Sequence, residues 1–452
     1  MARPRLRYVC QACGAVQPRW LGQCPDCGAW NSLRPETRPR PHARRAADAP
    51  PAFRSLAEAV ALPGRLATGL GEFDRTLGGG LVPGSAVLLG GDPGIGKSTL
   101  LLQVAARLAR QGRRVAYVSG EESVAQVQLR ARRLGLADAP VELAAATAVR
   151  EVLAALAERP ALDLLVVDSI QTMHVDTQEG APGTVGQVRE SAFALIGHAK
   201  TSGAALVLVG HVTKDGQLAG PRVLEHMVDV VLSFEGERTH AFRILRAAKN
   251  RFGATDEIGV FAMGPQGLEE VGNPSALFLA RHERPVPGAV VFPALEGTRP
   301  LLVEIEALTV PVPTGATPRR AVVGWDAGRL SMLLAVLEAR AGVGFGAHEV
   351  YLGVAGGLRV GEPAADLAVA AALLSARSDV PLPAGAVAFG EVALSGEVRR
   401  VPHADLRLKE AARLGFTLAF TPPEIADTTG LRIEAMATLA DLVRRIGRSR
   451  GR

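Results

Sequence analysis

Short, uninterrupted apolar runs punctuate residues 86–209 of this chain, each followed by glycines or acids. Ala86–Leu89, Val115–Val118, Leu162–Asp168 and Ala205–Val209 read as strands. Their apolar residues are consecutive rather than alternating, which is the pattern of strands covered on both faces. From Leu100 onward the apolar pattern fits a buried helix. Strand, glycine-rich turn and helix in succession predict an α/β unit with a parallel-rich central sheet. From about Pro274 the pattern shifts to alternating Val, Leu and Gly with many turns, which marks a separate unit. Residues 34–54 are rich in Pro, Arg and Ala without apolar periodicity and read as a basic, extended linker.

No apolar run approaches the ~20 residues needed to cross a bilayer. The basic N-terminus has no apolar stretch after it and does not read as a secretory signal, so a cytoplasmic protein is expected. With 452 residues, 48% hydrophobic and 21% charged, the chain is globular and long enough for two to three domains. Its net charge of +6 is concentrated: residues 1–47 hold nine Arg against Asp26 and Glu36. That segment alone is +7, and five Arg crowd the last nine residues. Basic ends on a near-neutral body suggest a polyanionic partner, although solvated tails carry charge in the same way. Only five of the cations are Lys, and three of those (Lys97, Lys214 and Lys249) fall in the motifs below.

All four cysteines lie in Cys10-x2-Cys13 and Cys24-x2-Cys27, each pair followed by a glycine. Two such knuckles can complete a tetrahedral site, and one structural Zn²⁺ is expected. A segment this short cannot bury enough core to fold alone, so the metal would supply its folding energy. Zinc ribbons bind nucleic acid or protein, and the cysteine spacing does not decide between them.

Gly91, Asp92, Pro93, Gly94, Ile95, Gly96, Lys97 and Ser98 match the Walker A pattern. With Thr99 they are the expected ATP-binding residues. Glycines let backbone N–H groups crowd the phosphates, and the helix N-terminus adds its positive end. Lys97 would reach the β- and γ-phosphates, and Ser98 would hold Mg²⁺. Asp168 ends its strand as a Walker B acid and is the second expected Mg²⁺ group. Glu121, after Val115–Val118, is expected beside the P-loop as the water activator. Glu122 fits better as an acid capping the next helix. His211, after the strand Ala205–Val209, is placed to sense the γ-phosphate.

TGLGEFDRTLGGGLVPGSAVLLGGDPGIGKSTLL (68–101) resembles the start of a RecA-type ATPase. Together with YVSGEES (117–123), VGHVTKDGQLAGPRVLEHMVD (209–229), KNRFG (249–253) and the CxxC pairs, it resembles the RadA (Sms) family of bacterial DNA-repair proteins. That resemblance implies a RecA-like core in a homohexameric ring, a DNA-stimulated ATPase working on single-stranded and branched DNA in recombination, repair and branch migration. It also implies a RecA-type recombinase as a partner. Lys249 and Arg251 of the motif Lys249-Asn250-Arg251-Phe252-Gly253 would act on a neighbour's γ-phosphate. Residues 213–222, with Lys214 and Arg222, would face DNA through its backbone, since they hold no aromatic.

GLRVGEPAADLAVAAALLSA (357–376) and GEVALSGEVRRVP (390–402) resemble the Lon peptidase domain. Lon enzymes use a Ser–Lys dyad. The matching frame here places Ala364 and Asp405, with Ser375 and Lys409 at other offsets, so an inactive α+β domain is expected. The expected organisation is a four-cysteine zinc ribbon (1–33), a linker (34–55), a RecA-like ATPase (56–273) and a Lon-like domain (274–452). An ATP-dependent protease, a nucleotide-switched scaffold and a filament-forming recombinase are the competing readings.

Overall fold

In the computed structural model the aliphatic runs become the parallel strands of one large sheet. The structure describes residues 7–36, 55, 64–212, 218–219, 223–236, 242–255, 257–279, 284–313, 317–425 and 430–449. It divides into two units, Met1–Val271 and Gly272–Arg452. The first begins with a three-stranded antiparallel ribbon: β1 (Arg7–Cys10), β2 (Val16–Gln17) and β3 (Leu33–Glu36), in the order β2-β1-β3. Its apolar interior is little more than Cys10, Cys24 and Leu33, which is too small a core to hold the ribbon without a further tie.

The elements that follow are α1 (Gly71–Thr76), β4 (Ala86–Gly91), α2 (Lys97–Arg110), β5 (Val115–Ser119), α3 (Val124–Arg133), β6 (Glu142–Ala145), α4 (Val149–Ala157), β7 (Leu164–Asp168), α5 (Val185–Ser202) and β8 (Ala205–Val209). A two-residue strand β9 (His211–Val212) then pairs antiparallel with β10 (Leu218–Ala219). After α6 (Val223–Met227) come β11 (Val230–Glu235), β12 (Phe242–Asn250), β13 (Ile258–Gly264) and β14 (Gly267–Glu270). The sheet runs β14-β13-β12-β11-β4-β8-β7-β5-β6. Its last six strands are mutually parallel, and β12, β13 and β14 extend the other edge antiparallel.

Both faces are covered, which is why the parallel strands read as continuous apolar runs. Leu100, Leu101, Val104 and Leu108 of α2, with Val127 of α3 and Phe73 of α1, pack on one face. Val149 and Val152 of α4, Val188, Ala192 and Leu195 of α5, and Leu224 of α6 pack on the other. Such a three-layer sheet turns the carboxyl ends of its parallel strands toward a single edge, where ligands of α/β folds bind.

The second unit is α+β. A seven-stranded mixed sheet is centred on Ala289–Glu296 and Arg299–Pro311, with helices Ala327–Ala341, Asp366–Ser378, Ala404–Arg413 and Leu439–Ser449. Among the described residues no helix is long and apolar enough to cross a membrane.

Candidate nucleotide and zinc sites

The four thiols converge. Cys10, Cys13, Cys24 and Cys27 bring their Sγ atoms within 4.8 Å of one another, with Cys10–Cys27 at 3.6 Å and Cys13–Cys24 at 3.7 Å. A tetrahedral ion with bonds of about 2.3 Å needs thiolates about 3.8 Å apart. A disulfide needs about 2.05 Å, so these spacings suit a metal and not a bond. Ala12 N–H donates to Cys10 Sγ at 3.4 Å, as expected around a thiolate, and Ser32 Oγ, which donates to Ala29 O, lies 3.2 Å from the sulfur. The donor set fits a structural zinc.

β4 ends at Gly91, whose φ of 155° and crowding suit only glycine: a Cβ there would lie 2.5 Å from Phe234 O. Residues 92–94 are exposed, Ile95 anchors the loop in the core, and α2 begins at Lys97. Lys97 is buried, and its Nζ donates to Gly91 O (2.6 Å) and Asp92 O (2.9 Å). Burial lowers its pKa, while Asp168, Asp92 and Glu121 oppose that shift. One ammonium thus faces three acids, a negative surplus suited to a divalent cation that arrives with phosphate. Ser98 and Thr99 follow at the first turn of α2, half-buried.

Asp168 ends β7, buried, and accepts a hydrogen bond from Tyr117 Oη on β5 at 2.5 Å. Ser169 Oγ then donates to Glu121 Oε1 at 2.6 Å. The two acids are therefore tied to adjacent strand ends, because Ser119 of β5 pairs with Asp168 of β7. Gly120 permits this approach, since a Cβ there would lie 2.0 Å from Thr172 Oγ1. Glu121 follows β5, and β8 and β7 lie between β4 and β5. Glu121 still acts on Lys97 electrostatically because all these strands end at the same edge. The helix cap expected at Glu122 belongs to Ser123, which forms a capping box with Gln126, while Glu122 pairs with Arg130 of α3.

His211 stands at the carboxyl end of β8, next to β4, where Gly210 N donates to Leu89 O at 2.9 Å. Nothing of its side chain is described. Lys214 and Arg222 lie outside the described residues.

Residues 249–253 sit at the opposite edge of the sheet. Asn250 pairs with Val230, and Val230 with Val87 near the start of β4. Lys249 Nζ donates to Glu225 O (2.6 Å) and Val228 O (2.8 Å), at and just beyond the C-terminal end of α6. Burial, then Arg251, hold its pKa below the usual value against Asp229 and Glu225. Arg251, 54% exposed, pairs with Asp229 at 3.2 Å, and the other oxygen of Asp229 accepts from Ala86 N. Asn250 accepts from Phe252 N, Arg65 donates to Phe252 O, and Gly253 packs on Gly78. Tyr117, Ser169 and Asp229 went unnoticed in the sequence. A lone tyrosine in a fully buried strand was a usable signal, since its hydroxyl needs a partner.

In the second unit Ala364 is buried in the turn Pro363–Ala365. Ser375 Oγ is fully buried, donating to Val380 O and accepting from Gly288 N. Lys409 pairs with Asp405 on an exposed helix face.

A parallel sheet that delivers a Walker A loop, a Walker B acid and a second carboxylate to one edge defines a RecA-like P-loop ATPase. Families described as "AAA domain" and "Rubredoxin metal binding domain" match residues 63–217 and 8–35. The chain is 55% identical to the DNA repair protein RadA of Brucella abortus, over 99% of both chains. It is 46% identical to that of Bacillus subtilis, over 98% of this chain and 99% of the relative. The crystal structure of the RadB recombinase aligns with 46% of this chain and 99% of its own, at 24% identity and a TM-score of 0.38. The chain belongs to the family of the DNA repair protein RadA.

Proposed function

We propose that the protein is a DNA-dependent ATPase of homologous recombination and repair, acting in the cytoplasm. It works as a homohexameric ring that translocates on single-stranded DNA and promotes branch migration, alongside a RecA-type recombinase. The observation that carries this reading is the separation of two cationic clusters. Lys97 lies at the carboxyl edge of the sheet, and Lys249 and Arg251 at the amino edge. β4 runs about 20 Å from Ala86, at the level of Arg251, to Gly91, and Lys249, at the level of Leu88, turns its Nζ back to Glu225 O and Val228 O. Lys249 and Arg251 are therefore out of reach of their own P-loop, and they serve phosphate chemistry only across a subunit boundary. A cation supplied by a neighbour makes hydrolysis depend on assembly.

Gly91–Thr99 would hold ATP, and the Ser98 hydroxyl and Asp168 carboxylate are hard oxygen donors suited to Mg²⁺. Magnesium, when bound, neutralises charge on the phosphates. Lys97 neutralises the rest in cis, and Glu121 orients the attacking water. His211 senses the γ-phosphate, and Lys214 and Arg222 contact the DNA backbone. The second unit is proposed to be a Lon-like scaffold without peptidase chemistry.

The test is ATPase activity with and without single-stranded DNA, beside a native mass measurement. The reading expects a six-chain mass and severalfold stimulation. Hydrolysis that is indifferent to DNA in a monomeric protein would overturn it.

A further inference from the structure

We propose that Trp20 and Trp30 of the zinc ribbon form a base-stacking platform for single-stranded DNA. The chain has three tryptophans, and two of them lie in this ribbon, 53% and 72% exposed. An exposed indole gives up the burial that makes tryptophan valuable in a core. Two of them on one small surface mark a face that something else covers.

The rings are neighbours. A Cβ built on Gly22 would lie 3.8 Å from Trp30 Cζ3 and 3.9 Å from Trp20 Cη2, so the two indoles flank one glycine. The second zinc knuckle sets their placement. Trp30 bridges Gln23 across the knuckle, and Asn31 N donates to Gly22 O at 2.7 Å. Cys24 N donates to Ala29 O at 2.9 Å, and Gln23 Nε2 to Gly28 O at 2.9 Å. The loop that presents Cys24 and Cys27 to a metal therefore also presents the two rings to solvent.

Charge selects the partner. Arg19 adjoins Trp20 and is exposed, as is Arg34, and residues 1–47 carry nine Arg against two acids. One of those acids, Asp26, is engaged by Gln17. Cations interleaved with exposed aromatics are the means by which proteins hold single strands without reading sequence. A duplex keeps its base faces stacked on one another, so unpaired bases are what two open rings can take. The proposal rests on the DNA-directed reading above and adds to it a contact that needs no ATP.

Full-length, zinc-loaded protein without nucleotide is titrated with a thymidine 30-mer and with an abasic strand of the same length. The thymidine strand should quench indole fluorescence and bind more tightly. Trp20→Ala with Trp30→Ala should weaken thymidine-strand binding about tenfold or more, with the abasic affinity and the salt slope unchanged. The paired Phe substitutions should restore most of the affinity. Arg19→Ala should weaken both strands and lower the salt slope.

Metal analysis of each variant reports ribbon integrity. If the Ala variant loses its zinc, the Phe variant decides: thymidine affinity lost with zinc retained overturns stacking. Equal loss on both strands, or unchanged affinity in a zinc-replete Ala variant, also overturns it. Loss of recombinase binding with DNA binding intact would make the face a protein-docking surface and overturn it too. A wild type that binds no thymidine strand sinks the DNA reading along with the platform, whereas unaffected variants sink the platform alone.

Discussion

Tyr117→Phe removes one oxygen from the nucleotide site and leaves the packing of the ring in place. Tyr117 is 1% exposed, and its hydroxyl donates to Asp168 at 2.5 Å. Burial, and then the charge of Asp168, hold the phenol well above its usual pKa near 10, so it remains a proton donor at any working pH. A hydrogen bond to a charged acceptor contributes about 1.5–3 kcal/mol. No cavity forms, and Asp168 still lies within the electrostatic reach of Lys97, so the expected loss sits near the middle of that range, about 2 kcal/mol. Asp168 is itself buried and cannot recover the bond from bulk water without moving. Part of the cost should therefore appear in folding stability and part in the aim of the carboxylate. Loss of a group that orients a metal-binding carboxylate typically costs about 10–100-fold in metal affinity or activity. The assay is magnesium-titrated nucleotide binding and turnover, in a cycle with Asp168→Asn. Tyr117→Phe should raise the magnesium requirement about tenfold in the wild-type background and have little effect in the Asn background. Equal effects in both backgrounds, or none in either, would refute the positioning role.

Lys97→Ala should lower turnover by at least about 10²–10³-fold. Lys97→Arg should fail as well, because a planar guanidinium does not fit where Nζ sits 2.6 and 2.9 Å from two carbonyls; wild-type turnover in that variant would show the lysine is not the phosphate ligand. Arg251→Ala and Glu121→Ala chains, each inactive, should recover hydrolysis when mixed, since about a quarter of the interfaces in a random ring pair intact residues; no recovery at any ratio, in rings shown to exchange subunits, counts against action across the boundary. Chelation or Cys24→Ala should unfold residues 8–30 while sparing nucleotide binding, and metal analysis finding two disulfides in place of one zinc would overturn the ribbon assignment. The purified protein should not degrade an unfolded substrate with ATP; degradation lost on deleting residues 274–452, and not due to contaminants, would falsify the inert assignment.

What was legible in the sequence is what is local or buried on both sides. Ala86–Leu89, Val115–Val118 and Ala205–Val209 reappear in β4, β5 and β8 because strands enclosed by helices carry aliphatic residues at every position. The cysteine pairs were legible because a knuckle is a few residues long. Strand order was not, because inserting β8 and β7 between β4 and β5 is decided by long-range packing that no short window contains. Glu121 nonetheless reaches the edge where β4 ends, because β4, β8, β7 and β5 are mutually parallel. The partners of Lys249 and Arg251 were hidden for the same reason, since Asp229 and the end of α6 lie about twenty residues upstream. Ser123 and Gln126 form a motif only four residues long that could have been read, and the run of acids before it drew attention to Glu122 instead.

The proposal that the second unit does no peptidase chemistry gains physical support from what surrounds Ala364. A working dyad needs an open approach for substrate and a neutral amine beside the nucleophile. Here the acids on either side of Ala364 are both taken. Glu362 pairs with the buried Arg407, which also donates to Pro293 O and lies over the rings of Phe292 and Phe389. Asp366, fully buried, holds Arg329 through both carboxylate oxygens and accepts from Val392 N. Breaking a buried pair by removing one partner costs about 3–5 kcal/mol, so these clamps hold the turn firmly. Ser375 cannot substitute as nucleophile, because its hydroxyl is enclosed and already donates to Val380 O. Lys409 lies on an exposed helix face, where Asp405 holds its ammonium at 3.6 Å. Ion pairs of this kind add rigidity without adding reactivity. That combination suits the scaffold role proposed for this unit.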